Sequence, residues 1–413
     1  MRVLFVTYAE RTHFFNMVPV AWALRTAGHE VRVASQPALT DTIVQAGLTA
    51  VPVGQDHSFD QVLVDKAEDE GWADRVTQVI AAPDAVDYET FVRFLDEATK
   101  FSGKIFNDPM VDDLVAYTRQ WEPDLIVWEM FSFAGAVAAR ATGTPHVRLL
   151  WGADVLVRMR QHFLSLHAKQ PEAERADPLG QWLSETCERF DCTFAEELIT
   201  GQHTLDHAPA SMRLPLGLST IPVRYVPYNG PSQIPDWLRE PPKRPRVCIT
   251  AGISLRNFHG YDPIPLDTLK AFGDLDLDVV ATLVPRDGDA QVDLPDNVRL
   301  VEFVPMHALL PTCSAVMHIG AAGVVATATR YGVPQLTLVL SLWDAPVRAA
   351  MLRDIGAGLS IVPDEMSPEN VRDRMLRLVN EASFQDAAQR LSAEVLAEPS
   401  PNEIVPALER LAR

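Results

Sequence analysis

The residues that decide the fold are Val3-Leu4-Phe5-Val6, a polar turn carrying His13, a helix-period stretch from Val18 to Ala27, Gly28, and Val31-Arg32-Val33-Ala34. The first run is short and apolar without alternation, as expected of a strand buried on both faces. Gly28 closes the helix, and the next apolar run follows almost at once. This is the opening of a doubly wound parallel sheet. The pattern recurs at Asp124-Leu125-Ile126-Val127-Trp128, a small-residue helix over 134–141, and His146-Val147-Arg148-Leu149-Leu150. Residues 55–120 between the two units are acidic and helical in pattern, more chain than one crossover needs.

At about 150 residues per domain, the 413 residues call for two domains. Pro215, Pro222, Pro227, Pro231, Pro235, Pro241, Pro242 and Pro245 interrupt helical periodicity over 213–245, which reads as a linker. The strand-helix alternation then restarts. Strands are expected over 246–250, 278–284, 298–301, 315–318 and 335–338, with a turn at Gly252-Ile253-Ser254 and helices near 266–272, Leu309 and 320–331. The expected architecture is α/β, with two doubly wound, Rossmann-like domains (1–212 and 246–398) facing each other across a cleft. Pro399 and Pro401 break the chain before a helix over 402–413, so that 399–413 crosses back to the first domain.

Thirty-six Lys+Arg against 55 Asp+Glu give a formal charge of −19, which disfavours backbone-driven nucleic-acid binding and docking on anionic membranes. The acid is local. Residues 51–100 hold 4 basic and 12 acidic groups, whereas 301–350 hold 2 of each. With no apolar run of about 18 residues and no signal-peptide pattern, the chain reads as soluble and cytoplasmic. Cys187, Cys192, Cys248 and Cys313 make no disulfide framework or zinc spacing. His203 and His207 would share a helix face, but no third ligand accompanies them.

Ligands of open α/β sheets bind beyond the carboxyl ends of the strands, so the loops after Val6, Trp128, Thr250, Val304, His318 and Leu340 hold the candidates. In His318-Ile319-Gly320-Ala321-Ala322-Gly323-Val324, small residues at a strand-to-helix turn would let backbone N–H groups and the helix dipole meet a phosphate. His318 could donate to the same group; close helix packing is the alternative. His13, in the loop after the first strand, could take a proton from a bound hydroxyl, with Glu129 orienting its imidazole. A solvated histidine and an unrelated carboxylate account for the same positions equally well.

The blocks Met1-Arg2-Val3-Leu4-Phe5, His13-Phe14, Val18-Pro19-Val20-Ala21-Trp22-Ala23-Leu24-Arg25, Ala27-Gly28-His29-Glu30-Val31, Val304-Pro305-Met306-His307-Ala308-Leu309-Leu310-Pro311 and His318-x-Gly320 closely resemble the GT-B glycosyltransferases of family 1. Trp121-Glu122-Pro123-Asp124-Leu125, Tyr228-Asn229-Gly230-Pro231-Ser232 and Ala397-Glu398-Pro399-Ser400-Pro401 extend the likeness end to end. The chain is most similar to the actinobacterial branch that decorates macrolides and anthracyclines with aminodeoxysugars.

The resemblance implies inverting transfer of a deoxysugar from a dTDP-sugar co-substrate to a hydroxyl of a polyketide aglycone, with no cofactor or metal. It places the catalytic base on His13 and its acidic partner on Glu129. The diphosphate-binding histidine falls on His318, with Gly320 and Gly323 in the phosphate loop. Val304 and Pro305 correspond to a nucleotide-contacting loop, Gly252 and Ser254 to a turn facing the phosphates, and Asp344 to the sugar-facing acid. Ile319, Ala321 and Val324 depart from the His-His-Gly-Gly-x-Gly-Thr/Ser pattern of the family. The lost hydroxyl at Val324 costs diphosphate binding about 1 kcal/mol or somewhat more. Ala345 stands where many relatives place Gln. A degenerate, non-catalytic binding protein and an isomerase of nucleotide sugars are the alternatives. The resemblance also implies a haem-monooxygenase-like helper protein and leaves room for a homodimer; the acidic 55–120 segment reads either as a docking surface for that helper or, at least as well, as a solvated face that also shapes the acceptor pocket.

Overall fold

A computed structural model describes residues 1–59, 72–253, 262–284 and 293–412. They form two compact units: Met1–His207 with Arg213–Arg224 and Pro399–Arg413, and Ala208–Met212 with Tyr225–Glu398.

In the first unit, seven parallel strands run in the order β3-β2-β1-β4-β5-β6-β7. They are β1 (Arg2–Val6), β2 (Glu30–Ser35), β3 (Thr49–Pro52), β4 (Leu125–Glu129), β5 (His146–Leu149), β6 (His203–Asp206) and β7 (Thr220–Pro222). β4 and β5 are buried at every residue, because helices cover both faces of the sheet. β1 and β4 lie side by side, with Val6 opposite Trp128, although about a hundred residues separate them. Chain order reverses at this pair, so the loops after β1 and β4 diverge and leave a crevice.

The second unit repeats the design with six parallel strands in the order β10-β9-β8-β11-β12-β13. These are β8 (Arg246–Thr250), β9 (Asp278–Thr282), β10 (Val298–Leu300), β11 (Ala315–His318), β12 (Gln335–Leu338) and β13 (Gly358–Ile361). Val247, Ile249, Ala315 and Met317 enter one apolar cluster, while Cys248 and Val316 enter another on the opposite face. β8 and β11 are adjacent, with Ile249 opposite Met317, and form the reversal point of this sheet.

Three expectations change. The proline-rich 213–245 stretch is divided between the units rather than standing as a linker. Its Thr220–Pro222 pairs with β6 as the edge strand β7, and Pro222, which has no N–H to donate, is tolerated at such an edge. The last helix spans only Val405–Leu411; its segment packs with the first unit through Pro399 O, which accepts from Arg224 N at 2.7 Å, and Glu409 Oε1, 3.1 Å from His29 Nε2. His203 begins a strand, so it and His207 do not share a helix face. Among the described residues no helix is long and apolar enough to cross a membrane, and no three His, Cys, Asp or Glu side chains are grouped to hold a metal ion.

Candidate active site

The reversal point of the first sheet gathers charge and aromatic rings. Glu10 caps the helix Arg11–Thr26, its carboxylate accepting from Thr12 N at 3.3 Å, so helix begins seven residues before the apolar periodicity. His13 therefore sits on the first turn of a helix and not in a loop. Glu129, the last residue of β4, is fully buried. His13 Nδ1 lies 3.1 Å from Glu129 Oε1.

Three further donors converge on that carboxylate. Trp151 Nε1 donates to Oε1 at 2.7 Å, while Phe131 N and Ser132 Oγ donate to Oε2 at 3.1 and 3.0 Å. A carboxylate surrounded by donors acts only as an acceptor, so His13 carries its proton on Nδ1 and keeps a lone pair on Nε2. Nε2 lies 3.1 Å from the hydroxyl of Tyr8. The Tyr8 ring stacks on Phe106 with centroids 4.0 Å apart, and the Trp151 ring lies 4.8 Å from that of His13. The arrangement can take a proton from a hydroxyl at Nε2 and hold the resulting imidazolium against a fixed negative charge.

The reversal point of the second sheet is built differently. His318 ends β11 with no exposure, and burial lowers its pKa to about 4, with the nearby Arg348 charge acting the same way against the Gln335 hydrogen bond. Its Nδ1 accepts from Gly320 N at 2.9 Å, which leaves Nε2–H to donate to Gln335 Oε1 at 2.8 Å. Gln335 in turn donates to Thr329 Oγ1 at 3.0 Å. Both ring nitrogens are occupied inside the protein. The imidazole is neutral at pH 7 and, in this arrangement, holds the Gly320 amide and Gln335.

Gly320 has φ +81°, and a Cβ there would lie 2.7 Å from Ala345 Cβ. Its carbonyl accepts from Arg348 at 2.8 Å, and the same guanidinium nitrogen donates to Asp344 Oδ1 at 2.7 Å. Asp344 is 1% exposed. Its Oδ1, on the residue expected to face the sugar, pairs with Arg348 in the interior. Gly252, with φ +76°, comes close to the loop, because a Cβ there would lie 3.3 Å from Ala321 Cβ. Val304 and Val324 share one buried cluster, Pro305 caps the short helix Met306–Leu309, and Gly323 lies in the first turn of the helix Ala322–Arg330. Ser254 lies outside the described residues.

Residues 22–252 match the family described as erythromycin biosynthesis protein CIII-like, N-terminal domain, and residues 266–411 match its C-terminal domain. The chain belongs to this glycosyltransferase family. It is 48% identical to the 10-deoxymethynolide desosaminyltransferase of Streptomyces venezuelae, with 100% of this chain and 97% of the relative covered. It is 47% identical to the aklavinone 7-beta-L-rhodosaminyltransferase of Streptomyces galilaeus, covering 100% and 96%. The crystal structure of the glycosyltransferase VinC in complex with dTDP is similar with a TM-score of 0.89 at 41% identity, covering 100% of this chain and 99% of that one. The two parallel sheets are those of the GT-B architecture.

Sequence reasoning missed Tyr8, Ser132 and Trp151 around His13 and Glu129, and Gln335 and Arg348 around His318 and Gly320. Trp151 was within reach of the strand-end rule, since it follows β5 by two residues. Gln335 and Arg348 carry no local signal; their partners His318 and Gly320 lie 17 and 28 residues away in the chain.

Proposed function

We propose that this glycosyltransferase moves a deoxysugar, of the aminodeoxysugar class, from a dTDP donor to a hydroxyl of a polyketide aglycone with inversion at the anomeric carbon. The observation that carries the reading is the His13–Glu129 pair at the first reversal point, on an imidazole that is partly exposed and keeps Nε2 as an acceptor. Tyr8, Phe106, Phe131 and Trp151 give that position the aromatic surround an apolar acceptor needs. The names of the relatives, which act on macrolide and anthracycline aglycones, supply the acceptor class.

His13 Nε2 takes the acceptor proton as the oxygen forms its bond to the anomeric carbon from the face opposite the diphosphate. The bond between that carbon and the diphosphate oxygen breaks, and its electron pair leaves with dTDP. Glu129 steadies the imidazolium until the proton passes to solvent. On the second unit, the charge growing on the diphosphate meets the first turn of Ala322–Arg330, where Val324 N and Val325 N bond to Ala321 O. Helix geometry leaves Ala322 N–H and Gly323 N–H for the anion.

His13→Ala tests the reading. Transfer is expected to fall about 10³-fold in product assays, while calorimetric titration with dTDP gives an unchanged affinity; wild-type turnover in the variant would remove the base assignment. The helper protein and the homodimer stand as separate proposals. Co-expression with and without a haem-monooxygenase-like partner tests the first, with equal activity in both counting against it, and molar mass by light scattering tests the second, with a monomer counting against it.

A further inference from the structure

The resting base is not open to solvent on its reactive side. His13 Nε2 has one lone pair, directed in the plane of the ring, and the Tyr8 hydroxyl lies 3.1 Å from it. Because Nδ1–H is committed to Glu129, Nε2 can only accept, and the phenol must be the donor. Burial, together with the negative charges of Glu129 and Glu10, pushes the Tyr8 pKa well above its ordinary value, so the phenol keeps its proton to donate. The ring itself is fixed. It stacks on Phe106 at 4.0 Å and meets His57 edge-on at 5.8 Å, while Tyr8 N donates to Ser132 Oγ at 3.0 Å.

We propose that Tyr8 is a positioning residue that caps the base of the empty enzyme and so guards the dTDP-sugar against hydrolysis. This rests on the assignment of His13 as base. A water molecule reaching the anomeric carbon can act as a nucleophile only if Nε2 accepts its proton, and while Tyr8 donates to that lone pair it cannot. Releasing the cap requires the phenol oxygen and Nε2 to move apart so that an incoming hydroxyl takes the lone pair, at the cost of one hydrogen bond. Water brings little binding energy to that exchange. A polyketide acceptor brings the burial of its apolar surface against the aromatic rings, and this drives the exchange in favour of transfer. Tyr8 is 5% exposed, whereas the His13 side chain is 16% exposed, so the acceptor meets the imidazole and not the phenol. This favours a cap over a proton relay.

Tyr8→Phe removes the hydroxyl and keeps the stacked ring. With dTDP-desosamine and no acceptor, release of free sugar is expected to rise about fivefold, the equivalent of one lost neutral hydrogen bond. With 10-deoxymethynolide added, the acceptor KM should fall by a similar factor, so hydrolysis and acceptor affinity rise together. The hydrolysis must vanish in the Tyr8→Phe/His13→Ala double variant. Independently of any substrate, ¹⁵N NMR of the free enzyme should show His13 protonated on Nδ1, with the Nε2 resonance moving toward that of an unbonded nitrogen in Tyr8→Phe. An Nε2-protonated ring, or an Nε2 resonance indifferent to the substitution, overturns the cap. A fall in kcat with unchanged KM and hydrolysis would make Tyr8 a relay and also overturn it. If His13→Ala retains turnover, the base assignment fails; if that variant is inactive and Tyr8→Phe hydrolyses donor no faster than wild type, the cap alone fails.

Discussion

The reversal points of the two sheets occupy the same topological position and have opposite chemistry. In the first, a buried carboxylate meets a partly exposed imidazole whose outer nitrogen accepts from a phenol hydroxyl. In the second, the histidine is fully buried and neutral, and the nearby guanidinium of Arg348 is paired with Asp344. One crevice keeps a buried negative charge beside an imidazole, which suits the proposed proton transfer. The other cancels its side-chain charges and presents main-chain dipoles, which suits an anion that must bind and then leave. The fold therefore supplies the location, and the residues placed at the strand ends supply the division of labour.

Glu129→Gln is the most severe way to break this contrast. The amide would present an NH₂ group where four donors now converge, so His13 loses either its acceptor or its orientation. Transfer is expected to drop on the order of 10³-fold, while dTDP affinity, proposed to reside in the second unit, is expected to stay at the wild-type value. A loss below tenfold would show that the carboxylate does not set the state of the base.

Gly320→Ala attacks the other side. The φ of +81° and the 2.7 Å approach to Ala345 Cβ leave no room for a methyl group. Displacing the turn should cost about 1–3 kcal/mol, read as roughly a tenfold or greater rise in the Kd of dTDP. At saturating donor, kcat should change little. Unchanged dTDP affinity would mean that the loop held by His318 is not where the diphosphate binds.

The sheets were legible because parallel strands buried on both faces read as unbroken apolar runs: 246–250, 315–318 and 335–338 are strands over those same residues. The start of the first helix was not, since its opening turn is polar and depends on a side-chain cap from Glu10. Nor was the division of 213–245, where prolines mark both an edge strand and irregular chain. Residue type and strand-end position were enough to select His13, Glu129 and Gly320. They could not say which way His318 and Asp344 face, because that is decided by Gln335 and Arg348, which come from other elements and are brought near only by folding.

A further effect, on stability and not on turnover, is in the response to pH, and it should be shared by the two units. His146 in β5 and His318 in β11 are both held at a pKa of about 4, in each case chiefly by burial. Unfolding returns each to its ordinary value near 6.5, so between those values the unfolded state binds more protons than the folded one. Stability is then complete above about pH 6.5 and falls as the pH drops toward 4, with each histidine costing on the order of 2 kcal/mol by pH 5. Amide exchange in β1 and β4 reports the first unit, and exchange in β8 and β11 the second. Both should accelerate between pH 7 and pH 5 after correction for intrinsic rates. Adding dTDP should protect β8 and β11 by the binding free energy without changing the pH slope set by His146. If dTDP protected β1 and β4 to the same degree, the two units would unfold as one, and the assignment of nucleotide binding to the second could no longer be drawn from exchange alone; if neither unit lost protection at pH 5, the two histidines would not be buried as neutral groups.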